Sequence, residues 1–509
     1  LFSMNIFKHP SLSSLIGVAR RDITPPIGIY ARNWGAAEHE VAEGVHRPLT
    51  ATALVVRAAP TPDPSPANRN SLHSFMAAAE RGGQAPLSRS DGGGVGGGGL
   101  TLVSLDLGWW RTPEDEWALR GALIRDCQLD PAHVLVHLTH THAGPALCRE
   151  DAGKPGGHLI AAYLDGVTQS VIDVVREAAT NAQPATLEWT YGQCMLAQNR
   201  DLPDQENPSR MVCGWNPANP ADDTLLVGRA TNEVGQVIAT LVNYACHPTT
   251  LAWQNKLISP DFVGAMRETV EANGGGLCLF LQGASGELSP IEQYTGDIAI
   301  ADKHGRTLGY AVLGTLAGML PPRMQLRYSG VVESGAPLAV WAREPAQAST
   351  ALKALQATAG TELKRDLPSL AEIESDLSAA IAEATDAFLI ERLRRKTRVR
   401  RAVGDAAHTN AAHTNAPRTP LPVWVWQLGD CVVVAQANEA YSNLQTELRA
   451  RFPDKAIVVM NITNGPHCGY LPPRALYSKD LYQVWQSPFA AGCLEQMIET
   501  CADAISELQ

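Results

Sequence analysis

Short apolar runs alternate along this chain with longer amphipathic segments, and that alternation constrains the fold more than any other feature. Residues 51–58, 100–106, 133–138, 236–246, 277–281, 431–435 and 456–461 read as strands. Residues 114–127, 161–179, 262–272 and 440–451 read as helices. Strands that are apolar on both faces belong in a sheet covered on both sides. The alternation therefore predicts an α/β protein, a mixed β-sheet core flanked by helices. In such sheets ligands sit beyond the carboxyl ends of strands, so the residues that follow each run carry the functional information.

The 509 residues are enough for a large core and are read as a single domain over 1–509. Two stretches break the pattern. Residues 60–99 are rich in Pro, Ser and Gly and cannot bury enough apolar surface to order themselves, which predicts a flexible insertion between two strands. Residues 344–403 are rich in Ala, Leu, Glu and Arg, with Leu370, Ile373, Leu377 and Ile381 at helical spacing, and predict an inserted helical hairpin. A Pro/Ala-rich linker over 404–420 follows. Its His408 and His413 belong to a repeated Ala-His-Thr-Asn and are read as solvated rather than ligating.

A net charge of −11 argues against nucleic acid as a partner, which calls for a basic face. No apolar run reaches the ~18 residues of a membrane span, and residues 1–10 lack the apolar core of a secretory signal. The expectation is a cytoplasmic protein with no transmembrane segment. The ten cysteines form no CxxC pair, which predicts neither a Cys-type zinc site nor a disulfide scaffold.

Four strand exits hold groups able to bind a metal. His140-Thr141-His142-Ala143-Gly144-Pro145 follows the run 133–138, and His247-Pro248 ends the strand 236–246. Glu439 comes soon after Val432-Val433-Val434, and Tyr470 lies in a Gly/Pro loop after Asn461. Two His and a carboxylate with an open coordination position make a catalytic zinc set, and a further His beside them serves general acid–base chemistry. Spacing alone does not make these residues converge. The other candidates have plainer readings. Asp106 serves a turn or orients a His, His46 is structural, His133 and His137 are packed, and Asp261 caps a helix. Cys246 has no partner that would make it a nucleophile.

Ordered sequence blocks give the chain a resemblance to the neutral/alkaline (non-lysosomal) ceramidase family. They include Ile16-Gly17-Val18-Ala19-Arg20-Arg21-Asp22-Ile23-Thr24-Pro25-Pro26, Gly44-Val45-His46-Arg47-Pro48-Leu49 and Val103-Ser104-Leu105-Asp106-Leu107-Gly108. Thr139 to Pro145, Asn199-Arg200, 243–247, 258–264 and 282–290 continue the series. The resemblance implies one Zn2+ held by His140, His247, Glu439 and Tyr470. It also implies His142 as a proton-transfer group and Arg200 as a carbonyl or oxyanion donor. Tyr477, Tyr482 and Ser285 are candidate substrate-binding residues.

The chain departs from the family at Gly283, where the family has an active-site Ser, and it is expected to have no C-terminal immunoglobulin-like domain. The reaction so implied is hydrolysis of an N-acyl amide, the partner being a small-molecule amide or lipid-like substrate, not necessarily ceramide. The alternatives are a metal-dependent esterase, carbamate or lactam hydrolase, and a non-catalytic binding protein on the same fold.

Overall fold

A computed structural model describes residues 5–58, 99–207, 209–403, 418–466 and 469–508. In chain order the main elements are β1 (Ser11–Asp22), β2 (Thr50–Arg57), β3 (Leu100–Leu105), α1 (Pro113–Cys127), β4 (Val134–Leu138), α2 (Ile160–Thr180), β5 (Gln183–Gln193), β6 (Thr224–Asn232), β7 (Val237–Tyr244), α3 (Phe262–Ala272), β8 (Leu277–Gln282), α4 (Ile298–Ala317), β9 (Leu352–Glu362), α5 (Leu370–Ala382), α6 (Ala387–Val403), β10 (Arg418–Leu428), β11 (Cys431–Ala435), α7 (Asn443–Arg451), β12 (Ala456–Met460) and α8 (Cys493–Leu508).

Two mixed sheets form the centre. One has eight strands in the order β8-β7-β6-β5-β1-β2-β3-β4, and the other four in the order β9-β10-β11-β12. The parallel pairs are β7 with β8, β3 with β4, and β11 with β12; the site grows from these. The pleat sends successive side chains to opposite faces, and the two faces enter different cores. Leu54, Leu102, Leu135 and Leu281 of the large sheet meet Trp424, Trp426, Val433 and Val458 of the small one. On the opposite face of the large sheet, Val55, Val103 and Val136 pack against Leu119 and Leu123 of α1 and Val167 and Val171 of α2. Phe280 and Val242 pack with Phe262 and Met266 of α3. Val434 and Val459 of the small sheet pack against Leu448 of α7 and Met497 and Ile498 of α8. The layers run helix, sheet, sheet, helix, as the continuous apolar strands require.

Helix α1 starts where local chemistry says it should. The Thr112 side chain accepts from the Asp115 N–H, and Pro113 occupies the first turn, where no intrahelical donor is missed.

The expected helical hairpin over 344–403 needs correction. It exists as α5 and α6, but the residues before them include strand β9, paired with β10 from Leu352↔Leu428 to Glu362↔Arg418. Leu, Ala and Lys in β9 are permissive helix formers, and an eleven-residue antiparallel pairing overrides that preference. The insertion expected over 60–99 falls outside the described residues over 60–98, and the linker does so over 404–417, with His408 and His413. No helix among the described residues is long and apolar enough to cross a membrane.

Candidate active site

Strand β4 delivers the first two imidazoles of the site. Beyond it, the N–H groups of Thr139 and His140 donate to Leu105 O and Leu107 O, which holds His140 at φ 70. A left-handed conformation costs a non-glycine residue about 1–2 kcal/mol, and such strain concentrates at functional sites. His140 Nδ1 lies 3.2 Å from Gly108 O. His142 sits between Trp34 and Trp109, with ring centroids 5.1 and 4.8 Å away. Its Nε2 is 3.4 Å from that of His140.

Strand β7 delivers His247, which is wholly buried. A loop after β8 holds it through backbone carbonyls. Ser285 O accepts from His247 Nδ1 at 2.7 Å, and Leu288 O accepts from the His247 N–H at 2.9 Å. The two carbonyls between them hold Arg200. Gly286 O accepts from Arg200 Nη2 at 2.7 Å, and Glu287 O from the Arg200 N–H at 2.8 Å. Four consecutive carbonyls thus orient two site residues. Arg200 Nη2 also lies 3.3 Å from His247 Nε2 and from the Tyr470 hydroxyl.

Glu439 and Tyr470 come together because Glu439–Ala440 and Tyr470–Leu471 form a short parallel pair, with Glu439 opposite Tyr470. Their side chains hydrogen-bond each other. Glu439 Oε2 is 2.7 Å from His247 Nε2 and 3.6 Å from His140 Nε2.

The donor set fits a cation. Carbonyl oxygens can only accept, so the Nδ1 atoms of His140 and His247 carry the protons and their Nε2 lone pairs turn inward. Burial, reinforced by Arg200, pushes the His247 pKa down to about 4, so the ring is neutral at pH 7. Burial, then His140 and His247, likewise hold His142 well below the usual histidine range. Ligand nitrogens of His140, His142 and His247 all lie within 4.8 Å of one another, with the Glu439 carboxylate against two of them. Imidazole nitrogens and a carboxylate gathered at one point are what a divalent metal needs.

The cluster opens into a cavity of about 380 Å³. Trp34, Trp109, Trp253, Tyr294 and Tyr482 give it aromatic walls, and Arg111, Arg395 and Arg398 line it as well. Of the expected site residues, His140, His142, Arg200, Glu439, Tyr470 and Tyr482 face this cavity, with His247 directly behind them.

Two expectations change. The Ser285 hydroxyl accepts from Gln282 Nε2 at 2.6 Å and does not line the cavity; the residue serves the site through its carbonyl. Tyr477 packs against the core under the small sheet, with Lys364 Nζ 5.8 Å from its ring centroid, and is likewise not a lining residue. The remaining candidates are structural. Asp106 binds Arg267 through two nitrogens, at 3.0 and 2.8 Å. His46 lies between Ser259 and Asp302. His137 accepts from the Gln282 N–H, and Asp261 caps α3. At Gly283 a Cβ would sit 2.9 Å from Ala245 Cβ and 3.0 Å from Gln445 Oε1, so the packing leaves little room for a side chain there.

Apart from Tyr482, the aromatic walls were not anticipated, nor were the arginines of α6. Trp34 lies in an irregular segment, and α6 reads as a solvated basic helix.

No family model matches this sequence, and no curated protein matches it. Solved structures do. Neutral ceramidase from Pseudomonas aeruginosa superimposes with a TM-score of 0.58 at 15% identity, over 98% of this chain and 75% of that one. A ceramidase complexed with C2 gives 0.60 at 15% identity, over 98% and 76%. The layered sheets and the buried histidine cluster at their strand ends therefore belong to a chain with the neutral-ceramidase fold.

Proposed function

We propose that this protein is a zinc-dependent hydrolase that cleaves an N-acyl amide bond. The observation that carries the reading is the three-imidazole cluster with Glu439 at the base of an aromatic cavity, on a fold shared with ceramidases. His140, His247, Glu439 and Tyr470 are assigned as the zinc ligands. Zinc in such a site supplies a Lewis acid for a carbonyl and a water that ionises near pH 7.

His142 differs from the other two imidazoles in a way that suits proton transfer. Among the described residues no backbone carbonyl holds its Nδ1, so the ring is not tied to one tautomer. In the proposed reaction a water adds to the acyl carbonyl and His142 takes up the released proton. The C–N bond then breaks as His142 returns that proton to the leaving amine. The products are a carboxylic acid and an amine. Arg200, buried and fixed by Gly286 O, places positive charge beside the reacting centre and favours an oxyanion there. A cavity of about 380 Å³ is near the low end of ligand sites. It suits a compact amide better than a lipid with two long chains.

The test is metal content beside hydrolysis of a fluorogenic N-acyl amide panel and the matched esters, for wild type and His247→Ala. The expected result is a single zinc ion per chain and amide turnover in the wild type, both lost in the variant. Full activity in a metal-free protein refutes the assignment. Turnover of esters alone replaces the amide reading with the esterase one.

A further inference from the structure

Helix α6 contributes Arg395 and Arg398 to the same cavity. The charges around them do not balance. The carboxylates there are Asp151 and Glu391. Asp151 is taken by Arg111 Nη1 at 2.7 Å and by Lys154 Nζ at 2.8 Å. Glu391 is taken by Arg395 Nε at 3.0 Å. Arg111 also donates to Asn33 Oδ1 at 2.7 Å, and Arg395 Nη1 to the Tyr482 hydroxyl at 2.6 Å.

Arg398 is left over. Among the described residues it makes no hydrogen bond or ion pair, and Asp151 and Glu391 act on it only through space. Burial and the adjacent Arg111 push its pKa down to about 10; it is still a cation at neutral pH. The side chain is half-buried and lines the cavity with no protein carboxylate in contact, and its fork of donors matches the two oxygens of an oxyacid.

We propose that Arg398, with Arg395 beside it, binds an anionic oxyacid group of the substrate, a carboxylate in the first instance. The amide cleaved is then a compact acylated compound carrying a negative charge, of the N-acyl amino acid kind. This rests on the hydrolase reading for the reaction, but the anion site stands or falls separately.

Trp34, Trp109 and Trp253 line the cavity, so tryptophan fluorescence reports its occupancy. The probe is a ketone isostere of an N-acyl amino acid, with CH2 in place of the amide NH, and its carboxamide twin. Zinc-loaded wild type is titrated with each, then Arg398→Gln. A phosphate-bearing ketone and its neutral alcohol form a second pair. The acid should bind wild type about 10-fold or more tighter than its neutral twin, the size of one charge-assisted pair. That ratio should collapse toward unity in Arg398→Gln.

A preference confined to the phosphate pair supports the anion site and replaces carboxylate by phosphate. Equal affinity within both pairs in the wild type overturns the proposal, as does a preference unchanged in Arg398→Gln. If the variant does not fold, the wild-type ratios still decide. Neither twin can be hydrolysed. A protein that prefers the acid yet cleaves no amide therefore keeps the anion site and loses only the hydrolase reading.

Discussion

Glu287 offers a quantitative test of the loop that holds the site. Its carboxylate is nearly buried, at 5% exposure. Its two oxygens each accept from the Ser442 N–H at 3.0 Å. Burial raises its pKa from the ordinary 4.5 to about 7; the Ser442 hydrogen bonds oppose that rise and the nearby Asp201 adds to it. The folded state therefore holds this proton more tightly than the unfolded chain. The contribution to stability is complete below the unfolded value of 4.5 and is lost as pH rises through about 7. The difference between the two pKa values corresponds to about 3 kcal/mol.

Glu287→Gln keeps an acceptor for Ser442 and removes the titration. Urea unfolding of wild type and variant, both zinc-loaded so that metal-linked protons cancel, should show wild type losing about 3 kcal/mol relative to the variant between about pH 4 and pH 8. Parallel pH profiles would refute the argument, because they would mean that the carboxylate is solvated and that the loop is not packed as described.

Two further outcomes follow from the same geometry. Asp106→Ala strands the buried Arg267 guanidinium and should cost about 3–5 kcal/mol, whereas the double change Asp106→Leu, Arg267→Met should recover most of it; denaturant midpoints of the wild type and the two variants measure this. In Gly286→Ala the new Cβ would meet Tyr441 Cδ1 at 2.6 Å. The displaced carbonyl should release Arg200, lower turnover at unchanged zinc content and cost about 1–3 kcal/mol; paired kinetics and metal analysis check it.

What could be read from the sequence divides along physical lines. His140, His142 and His247 were legible because each follows a short apolar run, and a strand end is fixed by local pattern. The approach of Glu439 to Tyr470 was not, because it depends on a two-residue pairing between segments thirty positions apart, which no periodicity records. Tyr477 and Tyr482 looked equivalent, yet only the second faces the cavity; one caps a 3-10 turn and the other starts a short helix, Tyr482–Gln486, too brief for spacing to predict direction. Strand β9 read as helix because its residues tolerate both states and the deciding partner, β10, lies beyond two helices. Arg395 and Arg398 were hidden for the opposite reason. Arginines on a helix are usually fully solvated, and only the packing of α6 over the cavity turns these toward it and half-buries them.

The run of carbonyls from Ser285 to Leu288 has a consequence for what aims the site. Every residue brings a carbonyl, so orientation of His247 and Arg200 is written into the path of the chain rather than into side-chain identity. The loop's side chains serve its packing instead: Glu287 holds Ser442, the Ser285 hydroxyl holds Gln282, and Gly286 leaves room for Tyr441.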